Sequence, residues 1–170
     1  SMGAHIASKV REIAPGRLRS LAVGGITMPT TEGWTTNDYD IQNLARSLRE
    51  GNGWTNFLMQ PGAVKRGVIS VDEAQRLNDE LTNGQDNLAI AAVIEAYEGL
   101  NVSNKSLEEN KVPMLIVMGE EDPGFDSAKL MSEASANCRF EVIKGANHFN
   151  AAPDKRTINA IVGFLNRSPE

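Results

Sequence analysis

Several residue types are scarce in this chain, and each scarcity removes a class of function. One cysteine, Cys138, occurs in 170 residues. It cannot close an intramolecular disulfide and brings no second thiol to a metal site, which favours a reducing, cytoplasmic location. There is no run of one charge. The 17 Lys and Arg stand against 22 Asp and Glu, for a net charge of -5, so the basic footprint that DNA or RNA requires is missing. No apolar stretch approaches the ~18 residues that span a bilayer, and no basic region followed by an apolar one opens the chain. Neither a membrane partner nor a signal peptide is expected, and the chain reads as soluble. Histidine is limited to His5 and His148. Gly51-Asn52-Gly53 follows no clear strand and has no lysine in place, so it is not a phosphate loop. No internal repeat or low-complexity segment is present, and no disordered tail beyond the last few residues is expected.

What is there fits one globular chain with a real core, since 41% of the residues are hydrophobic. From Ala4 to Ile13, Ile6, Val10 and Ile13 recur at i, i+4 and i+7, one apolar stripe of a helix that Pro15-Gly16 ends. Leu21-Ala22-Val23 is a short apolar run bounded by glycine, as in a buried parallel strand. A helix followed at once by such a strand predicts α/β architecture. After Met28-Pro29 the character changes. Ile41, Leu44, Ala45 and Leu48 fit one helix, Ser70-Val71-Asp72-Glu73 forms a capping box ahead of Ala74, Leu77 and Leu81, and Asp86 caps a third helix. Gly51, Gly53, Gly62, Gly67 and Gly84 separate these pieces. The pattern reverts at Val112-Pro113. Met114 to Met118 is fully apolar, as a strand buried on both faces must be. A helix from about Asp126 to Ala134, a strand from Arg139 to Ile143 and a last helix with Ile158, Ile161, Val162 and Leu165 follow, with Pro153 at its first position. This divides the chain into an α/β core, residues 1–29 and 112–170, and a helical insertion, residues 30–111.

Three short motifs carry candidate chemistry. Ser1-Met2-Gly3 precedes the first helix, Gly119-Glu120-Glu121-Asp122-Pro123 follows the apolar strand, and Gly145-Ala146-Asn147-His148-Phe149 follows the last strand. A serine hydroxyl is a weak nucleophile near neutral pH. It needs an imidazole to take its proton, and the imidazole needs a carboxylate to fix its tautomer and stabilise its charged form. Each motif also has a plainer reading. Ser-Met at a chain start is what protease removal of an expression tag leaves, Asp-Pro-Gly is ordinary turn chemistry, and Glu120, Glu121 and Asp126 compete with Asp122 for the acid role. His5 reads as an exposed residue of the first helical turn. Cys138 reads as a core or near-surface thiol, and the methionines as packing.

Together these residues resemble the α/β-hydrolase superfamily, in its serine-esterase or C–C-hydrolase form. Ser1-Met2-Gly3 is similar to G-x-S-x-G cut just before the serine, the Val112–Pro123 segment to the strand that delivers the acid, and Lys144–Phe149 to the loop that carries the base. The chain order Ser, Asp, His is that of the fold. The resemblance implies the C-terminal part of an α/β-hydrolase fold, starting at the nucleophile elbow, with parallel strands, flanking helices and an inserted helical cap. It implies catalytic Ser1, Asp122 and His148, and the N–H of Met2 as an oxyanion donor beside the positive end of the first helix. It implies hydrolysis of a small ester or related acyl substrate through an acyl-enzyme, with no cofactor and no metal. A serine nucleophile argues against the dehalogenase and epoxide-hydrolase branches, which use aspartate there. The first strands and the second oxyanion donor of such a fold are not in this sequence, so self-association or pairing with a missing N-terminal half is expected. The rival expectation is a non-catalytic truncated fold serving as a binding or assembly module. A third, an N-terminal-nucleophile hydrolase using the Ser1 amine, fits less well because that fold leads with strands.

Overall fold

The computed structural model describes residues 1–27, 41–59 and 70–167. The boundary expected at residues 29 and 30, Gly62 and Gly67, and the chain end at 168–170 lie outside the described residues. The chain divides into two compact units, residues 1–35 with 100–170, and residues 36–99.

The first unit is built on a three-stranded parallel sheet in the order β1 (Leu21–Gly24), β2 (Met114–Gly119) and β3 (Cys138–Ile143). β2 lies in the middle and is buried at every position, which is why its sequence is an unbroken apolar run and not an alternating one. On one face Met114, Ile116 and Met118 pack with Leu21, Val23 and Ile26, with Ala4 of α1 (Met2–Ile13) and with Ala128 and Met131 of a helix at Phe125–Ala134. On the other face Leu115, Val117 and Ile143 pack against Phe164 of the last helix (Lys155–Leu165). Just before β2, the buried Asn110 side chain donates to the carbonyls of Val112 (2.9 Å) and Ala136 (2.8 Å) and accepts from the Val112 N–H at 3.0 Å. That bracket fixes the height at which β2 enters the sheet. A short helix, Asn104–Glu108, belongs to this unit and packs on Phe125–Ala134.

The helical periods expected from sequence are present, but two faces are turned. In α1 the buried residues are Ala4, His5, Ser8 and Arg11, while Ile6 is 45% and Ile13 70% exposed. At 100° per residue the apolar stripe lies on the far side of the helix from the sheet. Small Ala4 and Ser8 let the helix approach β1, and the buried Arg11 guanidinium reaches the Ser106 carbonyl at 2.6 Å and hydroxyl at 3.0 Å. His5, expected to be exposed, is therefore buried because it flanks this inner stripe. In the last helix Thr157 and Phe164 are buried, with Ala160 and Ile161 packed beside the core, whereas Ile158, Val162 and Leu165 are about half exposed. That helix starts at Lys155 and not at Pro153, because the Asp154 side chain accepts from the Arg156 N–H at 2.7 Å and caps it.

Every regular element among the second unit's described residues is a helix. In chain order from α1, its elements are α2 (Ile41–Arg49), α3 (Thr55–Leu58), α4 (Val71–Thr82) and α5 (Asn87–Glu95). The short helix at Asn104–Glu108 is then α6, Phe125–Ala134 is α7 and Lys155–Leu165 is α8. Leu44, Ala45, Leu48, Phe57, Leu58, Ala74, Ala91 and Ile94 form the core of this unit. α4 opens with the full capping box, Ser70 with Glu73, and Asp86 caps α5 by accepting from the Leu88 and Ala89 N–H groups. Arg49 of α2 makes a two-pronged ion pair with Glu95 of α5 at 2.5 and 2.6 Å.

Candidate active site

The parallel pairing of β2 and β3 sets Gly119 opposite Ile143, so the loops after both strands leave the sheet at the same edge. They are laced together there. The Glu120 N–H donates to the Ile143 carbonyl (3.0 Å) and the Glu121 N–H to the Ala146 carbonyl (2.9 Å). A Cβ on Gly119 would lie 2.3 Å from the Ala146 oxygen, so only glycine lets the two loops cross this closely.

Asp122 sits in the first of these loops and is 3% exposed. One of its oxygens, Oδ1, accepts from the Gly124 N–H at 2.8 Å. The other, Oδ2, lies 2.7 Å from Nδ1 of His148, in the second loop. A carboxylate only accepts, so this contact assigns the proton to Nδ1 and leaves Nε2 as the ring's acceptor. The loop that presents His148 is held by the Asn147 side chain, which accepts from the Phe149 and Asn150 N–H groups at 3.0 and 3.1 Å. The competing carboxylates have other positions. Glu120 accepts from the Gly145 N–H at 3.2 Å, Glu121 is exposed, and Asp126 lies in the first turn of α7.

Ser1 is the N-cap residue of α1. Its nitrogen donates to the Gly24 carbonyl at 2.7 Å and its carbonyl accepts from the Ala4 N–H at 2.9 Å. Ser1 and His148 meet at Gly25: a Cβ built there would lie 3.2 Å from the Ser1 nitrogen and 3.0 Å from His148 Cε1. Among the described contacts no hydrogen bond joins the Ser1 hydroxyl to the ring. Met2 is the first residue of α1, so its N–H has no carbonyl one turn earlier and points out with the positive end of the helix.

Two neighbours of the site were given no functional role from the sequence. His5 has its pKa lowered to about 4, by burial first and then by the nearby Ser1 amino group and His148, so it stands neutral beneath the site near pH 7. Its signal was weak because a histidine in a first helical turn carries no motif. Gly25 was legible only as a strand boundary. Burial pushes the Cys138 thiol up to about 11, which disfavours its thiolate near neutral pH. Among the described residues no three His, Cys, Asp or Glu side chains converge as metal ligands would, and no helix is long and apolar enough to cross a membrane.

A central parallel strand, flanking helices and a carboxylate–imidazole pair at the sheet edge place the first unit in the α/β-hydrolase fold. Solved structures agree. The chain is similar to an α/β-hydrolase enzyme from a Medee basin deep-sea metagenome library, with 20% identity and a TM-score of 0.69 over 100% of this chain and 64% of that one. It is similar to MenH from S. aureus, at 21% identity and a TM-score of 0.69 over 99% of this chain and 66% of that one. It also matches the enol-lactonase from Burkholderia xenovorans LB400, at 15% identity and a TM-score of 0.68 over 98% and 64%. This chain thus spans about two thirds of the length of the structures it resembles. No family model and no curated protein sequence matches it.

Proposed function

We propose that the chain carries the catalytic half of a serine hydrolase acting on a small ester or related acyl substrate. The observation that supports this most directly is the 2.7 Å contact between His148 Nδ1 and the buried Asp122, beside Ser1 at the start of α1. In this reading Asp122 holds the ring so that Nε2 accepts the Ser1 hydroxyl proton as Oγ attacks the acyl carbon. The Met2 N–H, with the helix end behind it, stabilises the oxyanion. His148 returns the proton to the leaving group, and water, activated by the same ring, cleaves the acyl-enzyme. No cofactor or metal takes part. In this reading the helical second unit, residues 36–99, is the cap domain that the resemblance implies. The solved neighbours include enzymes described as esterase and enol-lactonase, which supports an ester-like substrate class.

A fluorophosphonate probe read by intact mass tests this. One adduct, mapping to Ser1 and absent after His148→Ala, is the expected result. A folded chain that takes no label favours the second reading, a non-catalytic binding or assembly module. That reading draws on the two-thirds span of the chain and on the exposed apolar stripes of α1 and α8.

A further inference from the structure

We propose that Gly25 is a positioning residue of the candidate site, the point at which the turn after β1 holds both the Ser1 backbone and the His148 ring. Gly25 follows the last residue of β1 with φ +60°, a left-handed conformation that a side chain strains. A Cβ there would stand 3.0 Å from His148 Cε1 and 3.4 Å from Nδ1, the nitrogen that faces Asp122, and 3.2 Å from the Ser1 nitrogen. Separations of 3.0 and 3.2 Å are tighter than ordinary van der Waals contact, so a neighbour must give way. The ring cannot retreat without lengthening its 2.7 Å bond to Asp122. Asp122 cannot follow, being buried and tied to the Gly124 N–H.

The same turn supports the rest of the site. The Gly24 carbonyl accepts from the Ser1 nitrogen at 2.7 Å. Thr27 fills the space over Gly124, where a Cβ would come within 2.5 Å of its methyl group. Residues 24–27 therefore touch the Ser1 backbone, the His148 ring and the turn that holds Asp122, and Gly25 is where the Ser1 backbone and the ring both come close. A Cβ there would press the ring or the Ser1 backbone back by a few tenths of an ångström.

The experiment uses the full chain with ¹⁵N-labelled histidine. In the wild type a strong nuclear Overhauser contact is expected between a Gly25 Hα and His148 Hε1, and its absence from a folded sample overturns the proposal without any variant. In Gly25→Ala the downfield Nδ1–H signal of His148 should be lost or displaced. Gly84→Ala is the control for backbone strain, because Gly84 has φ +71° but nothing within 4 Å of its Cβ position among the described residues. It should leave the His148 signals unchanged. A Gly25→Ala protein with wild-type His148 signals overturns the proposal. If Gly25→Ala does not fold, the wild-type Overhauser contact decides. The kinetic consequence rests on the hydrolase reading: fluorophosphonate labelling should slow by on the order of tenfold or more in Gly25→Ala, since small displacements of a reacting group cost rate steeply. A wild type that takes no label defeats the hydrolase reading alone, and the two spectroscopic results still decide Gly25.

Discussion

Asp122→Asn separates charge and tautomer from shape. The amide is nearly isosteric with the carboxylate, but it has only one acceptor oxygen for two partners, the Gly124 N–H at 2.8 Å and His148 Nδ1 at 2.7 Å. If the amide nitrogen faced Gly124, two donors would meet in a site that is 3% exposed, a buried mismatch costing about 1–3 kcal/mol. The oxygen should therefore stay on Gly124 and the NH2 should face His148. Nδ1 must then accept, and the ring proton moves to Nε2, the atom that takes the serine proton in the proposed mechanism. Stability should fall by about 1–1.5 kcal/mol, the difference between a charge-assisted and an ordinary hydrogen bond. Labelling of Ser1 should fall by ~10⁴, the cost of the wrong tautomer in a Ser-His-Asp site. Thermal melting, time-resolved intact mass and imidazole ¹⁵N shifts read the three quantities on one sample. A variant that labels within about tenfold of wild type, or keeps its proton on Nδ1, would refute the reasoning.

Three further outcomes follow from other parts of the molecule. His5 has its pKa lowered from 6.5 to about 4, so between those values the unfolded chain binds more protons than the folded one, and stability is lost as pH falls through that window. His5→Gln should remove this loss, so the melting-temperature difference between variant and wild type should shift in the variant's favour from pH 7 to pH 4; a difference flat in pH rejects it. In the helical unit, a Cβ on Gly53 would lie 2.2 Å from the Asn78 Oδ1 that accepts the Trp54 N–H at 2.7 Å. Gly53→Ala should cost on the order of 2–3 kcal/mol in denaturant melts, against about 1 kcal/mol for Gly51→Ala, which shares the positive φ but meets nothing within 4 Å among the described residues. Equal costs would contradict the clash. Finally, Met2, Ile6 and Ile13 of α1 and Ile158, Val162 and Leu165 of α8 are exposed, and β1 ends the sheet with one edge unpaired among the described residues. The chain by itself should associate, and Ile6→Glu with Val162→Lys should raise its monomer fraction in size-exclusion chromatography. A monodisperse wild-type monomer at tens of micromolar would count against this.

Local signals in the sequence determined the elements. Met114–Met118 fitted a strand covered on both faces, Ser70 with Glu73 and Asp86 marked helix starts, and the serine, acid and histidine motifs resembled those of an α/β-hydrolase fold. The strand and the helix starts rest on apolar patterning and capping, which act within a few residues and need no knowledge of the rest of the chain, whereas the hydrolase reading rested on resemblance to a family. Tertiary structure decided what depends on distant partners. Sequence gave α1 and α8 the right period but not the phase, because both carry apolar residues on more than one side. Which side turns inward depends on how closely Ala4 and Ser8 approach β1 and where Phe164 fits beneath the sheet. His5 went from an expected surface position to a buried one for the same reason. Four carboxylates lie in or beside the acid loop, and composition could not rank their distances to a ring on another strand. The register that sets Gly119 opposite Ile143 brings Asp122 to His148 while Glu120 turns to the Gly145 N–H. Gly25 became visible as more than a strand end only once three segments far apart in sequence met around its missing side chain. Clearance of that kind is a property of packing and leaves no local pattern to read.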